Sequence, residues 1–448
     1  MNLDDEKLQL MRNEKIPTVL LKLGLPAMVG MLVSALYNVV DAYFVGGLGT
    51  SQMGAVSISF PIGQIIIGLG VTFGSGAASY ISRLFGEDNK EEANRVASTA
   101  LFTSLLVGMI SISISLCFLD RILIGLGATE TILPYARDYG FIFIAGSIFS
   151  IFSVTVSNII TSEGATRFSM VSLVAGSLLN VILAPVFIYS LGYGVSGAAI
   201  ATVISQAGSS ILYLGYILRR KGTLRYSISN FSFDKTVYWE ILKVGIPVFM
   251  LQLLTSVSMG LTNTAASNYG DSAVAAVGIV TRILAIGSYV IFGYIRGFQS
   301  VAGYNYGAKL YERLRETIDV SLKWTTWFCV ISAASMLLFA PNIISAFSKN
   351  DLDVISIGSK ALRAGAIMFI FYGFQLVYLA LFLTMGKAKE AGILSLSRQG
   401  IFFIPAILIL PNFFGIDGVI FAQPIADILT VLLSKMFIKR LRRFWMTA

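Results

Sequence analysis

Apolar residues in this chain come in long runs broken by short polar stretches. The runs cover roughly 17–46, 54–82, 96–119, 134–161, 169–190, 197–218, 240–268, 272–300, 318–340, 361–385, 393–413 and 417–438. A run of about 20 apolar residues is long enough to cross a bilayer as a helix. Membrane strands would instead alternate polar and apolar residues over about ten positions, and these runs do not. The pattern predicts an all-α integral membrane protein with twelve transmembrane helices.

The same pattern occurs twice. Shifted by 221 residues, Lys22-Leu23-Gly24-Leu25-Pro26 falls on Lys243-Val244-Gly245-Ile246-Pro247. Gly49 falls on Gly270, Ala55-Val56 on Ala276-Val277, and Gly86 on Gly307. Gly194-Val195-Ser196-Gly197 falls on Gly415-Ile416-Asp417-Gly418. A long internal period is a statement about architecture. Six helices per copy is an even number, so the copies share one orientation. The expected division is a six-helix lobe over 1–218, a cytoplasmic linker over 219–239 and a second six-helix lobe over 240–448. Pro26 and Pro247 hold equivalent positions, and a proline inside a helix frees a carbonyl and bends the axis. Such a pair suits a helix that flexes, or one simply curved by packing.

Composition agrees with this reading. The chain is 56% hydrophobic and 13% charged, with mean hydropathy +0.78; a soluble domain carries about 25% charged residues. Of its 33 Lys and Arg, 26 fall in the terminal tails and alternate loops, and only five in the opposite loops. Positive charge collects on the cytoplasmic side, so both termini are expected there. These charges meet phospholipid headgroups and account for the net charge of +9; nucleic acid is not an expected partner. Met1–Lys15 mixes acids and bases without a cleavage pattern, so the first run is expected to persist as a span. Cys117 and Cys329 fall at non-equivalent repeat positions and read as small apolar filler.

Several chemistries are excluded. There is no histidine, which removes Ser-His-Asp triads and His-bearing metal sites. No G-x-x-x-x-G-K-[ST] occurs, so the chain brings no P-loop ATPase. Gly192-Tyr193-Gly194-Val195-Ser196-Gly197 fits G-x-G-x-x-G, but it joins two membrane helices rather than a strand and a helix, and reads as a turn. No cofactor is expected, and the chain is not expected to be an enzyme. Any transport must draw on an ion gradient, a membrane potential or a partner.

The remaining candidates are charges inside spans. A carboxylate at mid-helix costs about 2.5–3.5 kcal/mol on insertion scales, so it usually faces a cavity or a partner. Asp41 lies in the outer half of helix one. Asn38 and Tyr37, three and four residues back, share its face. Tyr139 in helix four, Asn180 in helix five and Thr202 in helix six lie at similar depth. Asn158, further along helix four, joins Tyr37, Asn38 and Tyr139 as candidate lining of a substrate path. Carboxylate, amide and hydroxyl oxygens suit a hard cation, with Na⁺ possible at Asp41, Asn180 and Thr202. Alternatively Asp41 takes a proton, since desolvation disfavours an ionised carboxyl. The second half lacks this acid: Thr262 stands 221 residues after Asp41. Arg282, which either neutralises a carboxylate or serves packing, and Asp427 in helix twelve are second-rank candidates. Arg296 lies near the cytoplasmic end of helix eight and can snorkel to the interface. Arg398 is assigned to a cytoplasmic loop.

Several segments together resemble the MATE family of multidrug and toxic compound extrusion transporters, its prokaryotic DinF-like and MepA-like branch above all. They are Gly24-Leu25-Pro26, Tyr37-Asn38-Val39-Val40-Asp41, Gly164-Ala165-Thr166-Arg167, Asn180-Val181-Ile182-Leu183-Ala184-Pro185, Gly194-Val195-Ser196-Gly197-Ala198-Ala199 and Gly303-Tyr304-Asn305-Tyr306-Gly307-Ala308. The resemblance covers essentially the whole chain. It implies two lobes around a V-shaped cleft that alternate their access. It implies antiport: export of cationic or amphipathic organic compounds in exchange for H⁺ or Na⁺. It implies a monomer in a bacterial or archaeal cytoplasmic membrane. It makes Asp41 the coupling residue, with Asn180, Thr202 and the backbone near Ala198 lining the cation site. An alternative within the same superfamily is a flippase for a lipid-linked precursor, although those generally have fourteen helices and an Arg-lined cavity. Two departures stand out. Ala184 replaces the usual Asp of helix five, which lowers the charge of a cation cage and favours H⁺. In helix eight, Arg296 and Ser300 replace the usual Gln and Pro.

Overall fold

The computed structural model describes residues 11–447 apart from 49, 127, 221 and 348–350; the side chains at 38, 39, 42, 46, 50, 53, 60, 271 and 440–447 also lie outside that description. The described residues are helical, with no strand among them. Backbone polar groups cannot be left open in hydrocarbon, and a helix satisfies its own. Eleven helices are long and apolar enough to span a membrane, and a bent pair supplies a twelfth. Spans one to six run Ile16–Gly46, Thr50–Gly86, Lys90–Cys117, Leu133–Ser162, Thr166–Pro185 and Gly194–Leu218. Spans seven to nine run Lys235–Ser267, Asp271–Gly307 and Tyr311–Phe347. Span ten is the bent pair, Leu352–Phe369 and Tyr372–Thr384, with 47° between its halves. Span eleven runs Ala388–Phe414 and turns through a π-helical segment at Ser397–Ile401. Span twelve begins at Ile416.

Helix starts follow local chemistry. Asn89 caps span three by accepting from the Glu92 N–H, and Asp234 caps span seven by accepting from the Thr236 N–H. Each satisfies an amide that the first turn leaves open. Asp351 does the same for Asp353 and Val354 at span ten. Several helices run further than the apolar pattern predicts: span two reaches Gly86 and span nine starts at Tyr311.

The two halves meet along spans one, two, seven and eight, and the repeat is visible in the contact itself. Gly86 and Gly307 are repeat equivalents that face each other. A Cβ on Gly307 would lie 1.9 Å from the Arg83 carbonyl oxygen, and one on Gly86 would lie 2.1 Å from that of Tyr304. Only a residue without a side chain lets backbones come this close. Polar contacts tie the same end. Arg83 Nη2 donates to Glu240 at 2.6 Å, and Glu240 also pairs with Lys243. Ser79 Oγ donates to the Leu383 carbonyl at 2.8 Å, and Ser300 Oγ to that of Thr161 at 2.9 Å. These contacts all lie toward the Lys/Arg-rich loops, the basic face. The apolar clusters of the opposite face stay within one half each: Val45, Tyr139, Ala184 and Ala198 on one side, Ala266, Phe403 and Ala426 on the other. The V-shaped cleft is therefore closed at the basic face and open at the other.

The connector between the halves is strapped down. The Glu163 carboxylate, fully buried at the end of span four, accepts from Tyr216 Oη at 2.5 Å and from the Thr223 and Leu224 N–H groups at 2.7 and 3.1 Å. Asn94 Oδ1 accepts from the Arg225 N–H at 2.7 Å, and Thr99 Oγ1 from the Ser232 N–H at 3.1 Å.

The backbone contact at Gly307 generates a prediction. Gly307→Val forces spans two and eight apart, and overpacking of this kind costs about 2 kcal/mol. Thermal unfolding in detergent should show a clear loss of stability. A variant as stable as the parent would mean that the lobes do not meet here.

Candidate functional site

Four helices of the first lobe carry the candidate site. Span five ends at Pro185, and its π-helical extension Val186–Ser190 swings Tyr189 back to donate to the Phe44 carbonyl at 2.7 Å. That bond fixes the end of span one against span five. Gly192 and Gly194, with φ of +70° and +54°, then make the turn into span six. The glycine-rich stretch is thus a helix–helix connection, as its context implies. Gln52 Oε1 accepts from the Val195 N–H at 3.1 Å and ties the start of span six to span two.

Within this frame Asn180 Nδ2 donates to Thr202 Oγ1 at 3.2 Å, and both residues are buried. Tyr37 lies within hydrogen-bonding reach of the same Thr202, and Tyr37 and Tyr139 both lie near Asp41. Tyr139 is buried and stacks on Phe143, with ring centroids 5.5 Å apart. The structure therefore brings Asp41, Tyr37, Tyr139, Asn180 and Thr202 together. Two acceptors in the group have no hydrogen-bond partner among the described residues: Asp41 Oδ1 and Asn180 Oδ1, each cut off from solvent. A buried oxygen without a donor is costly, and a proton or a cation would satisfy it. Ala198 is buried one helical turn before Thr202; in a regular helix its carbonyl already accepts the Thr202 N–H. Ala184 is fully buried in the apolar wall with Val45 and Tyr139. The Asn38 side chain lies outside the described residues. Asp138, next to Tyr139, is exposed.

Asn158 is elsewhere. It is 19 residues along span four from Tyr139, about 28 Å at the helical rise. Its Nδ2 donates to the Val154 carbonyl at 2.8 Å, and it packs near Gly74 of span two.

The second lobe handles charge differently. Arg398 is not in a loop: it lies inside span eleven, on the π-helical turn. Its Nε donates to Asp427 Oδ1 at 2.7 Å, and its guanidinium lies over the Tyr372 ring, 4.7 Å from the centroid. Gln423 Nε2 also donates to Asp427 Oδ1, at 3.0 Å, and Gln375 Nε2 to the Asp427 carbonyl, at 3.0 Å. Tyr372 opens the second half of the bent span ten. Two irregular helices thus converge on one ion pair. Asp427 is a neutralised acid, unlike the open Asp41. Arg398 already lies inside the apolar run over 393–413, and the loop assignment failed because a charge near the start of a run was credited to the loop before it; span eleven begins at Ala388.

Arg282 is exposed, and no acid pairs with it among the described residues. Leu284, two positions on, packs into the second lobe against Gly365. Gly293 lies three turns below Arg282 on nearly the same helix face and abuts Met28 of span one. Arg282 therefore lies on the face of span eight that turns toward the first lobe.

Breaking the second-lobe pair has a defined outcome. Arg398→Ala leaves Asp427 buried without its partner, a loss of about 3 kcal/mol or more. Arg398→Met combined with Asp427→Leu should recover most of it in thermal unfolding. Equal stability of the single variant and the parent would show that the pair carries no structural load.

Comparison with known proteins fits this geometry. The MatE family model matches residues 26–186 and 247–408, two copies whose starts are separated by the repeat offset. The multidrug export protein MepA of Staphylococcus haemolyticus (strain JCSC1435) is 28% identical over 439 residues, covering 98% of this chain and 96% of that protein. A crystal structure of MATE in complex with MaL6 superposes with a TM-score of 0.91 at 29% identity, covering 97% of this chain and 99% of that one. A multidrug resistance MATE family transporter of the MOP superfamily, in its outward-facing conformation, gives 0.90 at 29% identity, with 97% of each chain covered.

Proposed function

The chain belongs to the MatE family, and on that premise we propose that it is a secondary active antiporter in which Asp41 exchanges a proton as the lobes alternate. It exports cationic or amphipathic organic compounds from the cytoplasm. The basic face is cytoplasmic, the working unit is a monomer, and the lobes divide at the connector over 219–239. The protein works in a bacterial or archaeal cytoplasmic membrane, its basic loops against phospholipid headgroups.

The observation that carries this reading is Asp41 Oδ1, buried and without a donor among the described residues, in the cluster that Tyr37 joins to Asn180 and Thr202. Such a carboxyl is stable when protonated or when a cation sits on it, and unstable when bare. Loading it from the open face and unloading it at the other would drive the cycle. With Ala184 where relatives carry Asp, the site holds one acid. A single carboxylate is a weak cage for Na⁺ and a sufficient carrier for H⁺. Asn180 Oδ1 gives Na⁺ one neutral ligand, which makes ΔpNa the comparison to run. Twelve spans and an acid near the cleft weigh against the lipid-linked flippase.

The test uses purified protein in proteoliposomes, with efflux of a fluorescent organic cation driven by imposed ΔpH or imposed ΔpNa. ΔpH should drive export in the parent. Asp41→Asn should reduce it at least tenfold while leaving the protein monodisperse. Ala184→Asp should add a response to ΔpNa. Undiminished ΔpH-driven export by Asp41→Asn would refute the coupling role.

A further inference from the structure

Arg296 marks a second site, on the basic-face half of the molecule and between the lobes. Its pocket is lined by Ala27, Gly30 and Met31 of span one, by Thr161 at the end of span four, and by Thr166, Ser169, Met170 and Leu173 of span five. No acid among the described residues pairs with Arg296. An arginine inside a span is expensive, and it normally pairs or reaches an interface.

The lining favours an anion. Thr166 is 1% exposed, and its Oγ1 is buried without a hydrogen-bond partner. It is also the first residue of span five, a 20-residue helix. The first turn of a helix leaves backbone N–H groups without intrahelical acceptors and carries a partial positive charge. Guanidinium, hydroxyl and helix start thus converge with no carboxylate among them. The other hydroxyls are already engaged: Ser169 bonds Ser157 at 2.7 Å, and Thr161 Oγ1 donates to the Ser157 carbonyl at 2.7 Å. The space is narrow, with enclosed room for little more than a water beyond its mouth, far below pockets that hold drug-sized ligands, so only a compact anionic group reaches in.

We propose that Arg296, Thr166 and the start of span five bind a phosphate group, supplied by a phospholipid headgroup. Depth decides for the lipid. Span five starts directly after the short loop at 163–165, where headgroups meet the basic face. Arginine is well matched to phosphate oxygens because its donors are planar and forked. The site joins spans four and five of the first lobe to span eight of the second. An occupied site therefore straps the basic face closed, beside the Ser300–Thr161 bond. None of this depends on Asp41 carrying the coupling ion.

The experiment measures thermal unfolding of detergent-purified protein titrated with short-chain phosphatidylglycerol, inorganic phosphate or short-chain diacylglycerol. Phosphatidylglycerol should raise the midpoint of the parent by several degrees, and diacylglycerol should not. Arg296→Gln should weaken the apparent affinity at least tenfold, Thr166→Val severalfold, and Arg296→Lys should retain part of the effect. Monodispersity on gel filtration identifies variants that fold. Protection by inorganic phosphate alone supports the phosphate site and makes a free ion its source. Equal protection of the parent and a folded Arg296→Gln overturns the proposal. So does protection by diacylglycerol, or no protection of the parent by either phosphate compound.

Discussion

Every polar group in this molecule that lies within the bilayer must find its partner in the protein, because hydrocarbon offers none. That constraint makes the chain helical throughout its spans. It also explains where the helices depart from regularity. The π-helical turn after Pro185 is stitched by Tyr189 to the Phe44 carbonyl. The one in span eleven delivers Arg398 to Asp427. Irregular backbone is tolerated where side chains or neighbouring helices make up the lost bonds. Asp41, Asn180 and Thr166 are instructive exceptions, since each has a buried side-chain oxygen unmet among the described residues.

The two lobes share a backbone plan and differ in how they treat charge. At the basic face they are near copies, with Gly86 set against the segment around Gly307. Further in, the first lobe keeps an acid among neutral oxygens and tyrosines. The second lobe neutralises its acid with Arg398, while Gln423 donates to the same carboxylate and Gln375 to the Asp427 backbone carbonyl. Duplication supplies the hinge-like symmetry, and divergence of side chains leaves one lobe with an open carboxyl. In this structure Asp427 is paired, whereas Asp41 Oδ1 has no partner among the described residues.

Closure at the basic face rests on short-range contacts. Backbone approach at the glycines, the Arg83–Glu240–Lys243 group and the Ser79 and Ser300 bonds all act within a few ångströms. Interactions of this kind are lost together when helices separate, which suits a junction that must open as a unit. The strapped connector keeps the ends of spans three, four and six together while that happens.

Sequence alone determined the membrane class, the span count and the repeat, because hydropathy and offset are one-dimensional properties. It also selected Asp41, Asn180 and Thr202, because a carboxylate or an amide within an apolar run is conspicuous in one dimension. It put Asn158 with Tyr37, Asn38 and Tyr139 along a substrate path, and the packed bundle sets Asn158 about 28 Å along span four from Tyr139, a depth that sequence does not give. It misplaced Arg398, because a basic residue near the start of an apolar run reads equally as loop or span, and the structure starts span eleven at Ala388. Whether an acid is open or paired was decided only in three dimensions. Asp41 and Asp427 are alike as letters in apolar runs; the neighbours that distinguish them arrive from other helices, tens or hundreds of residues away along the chain.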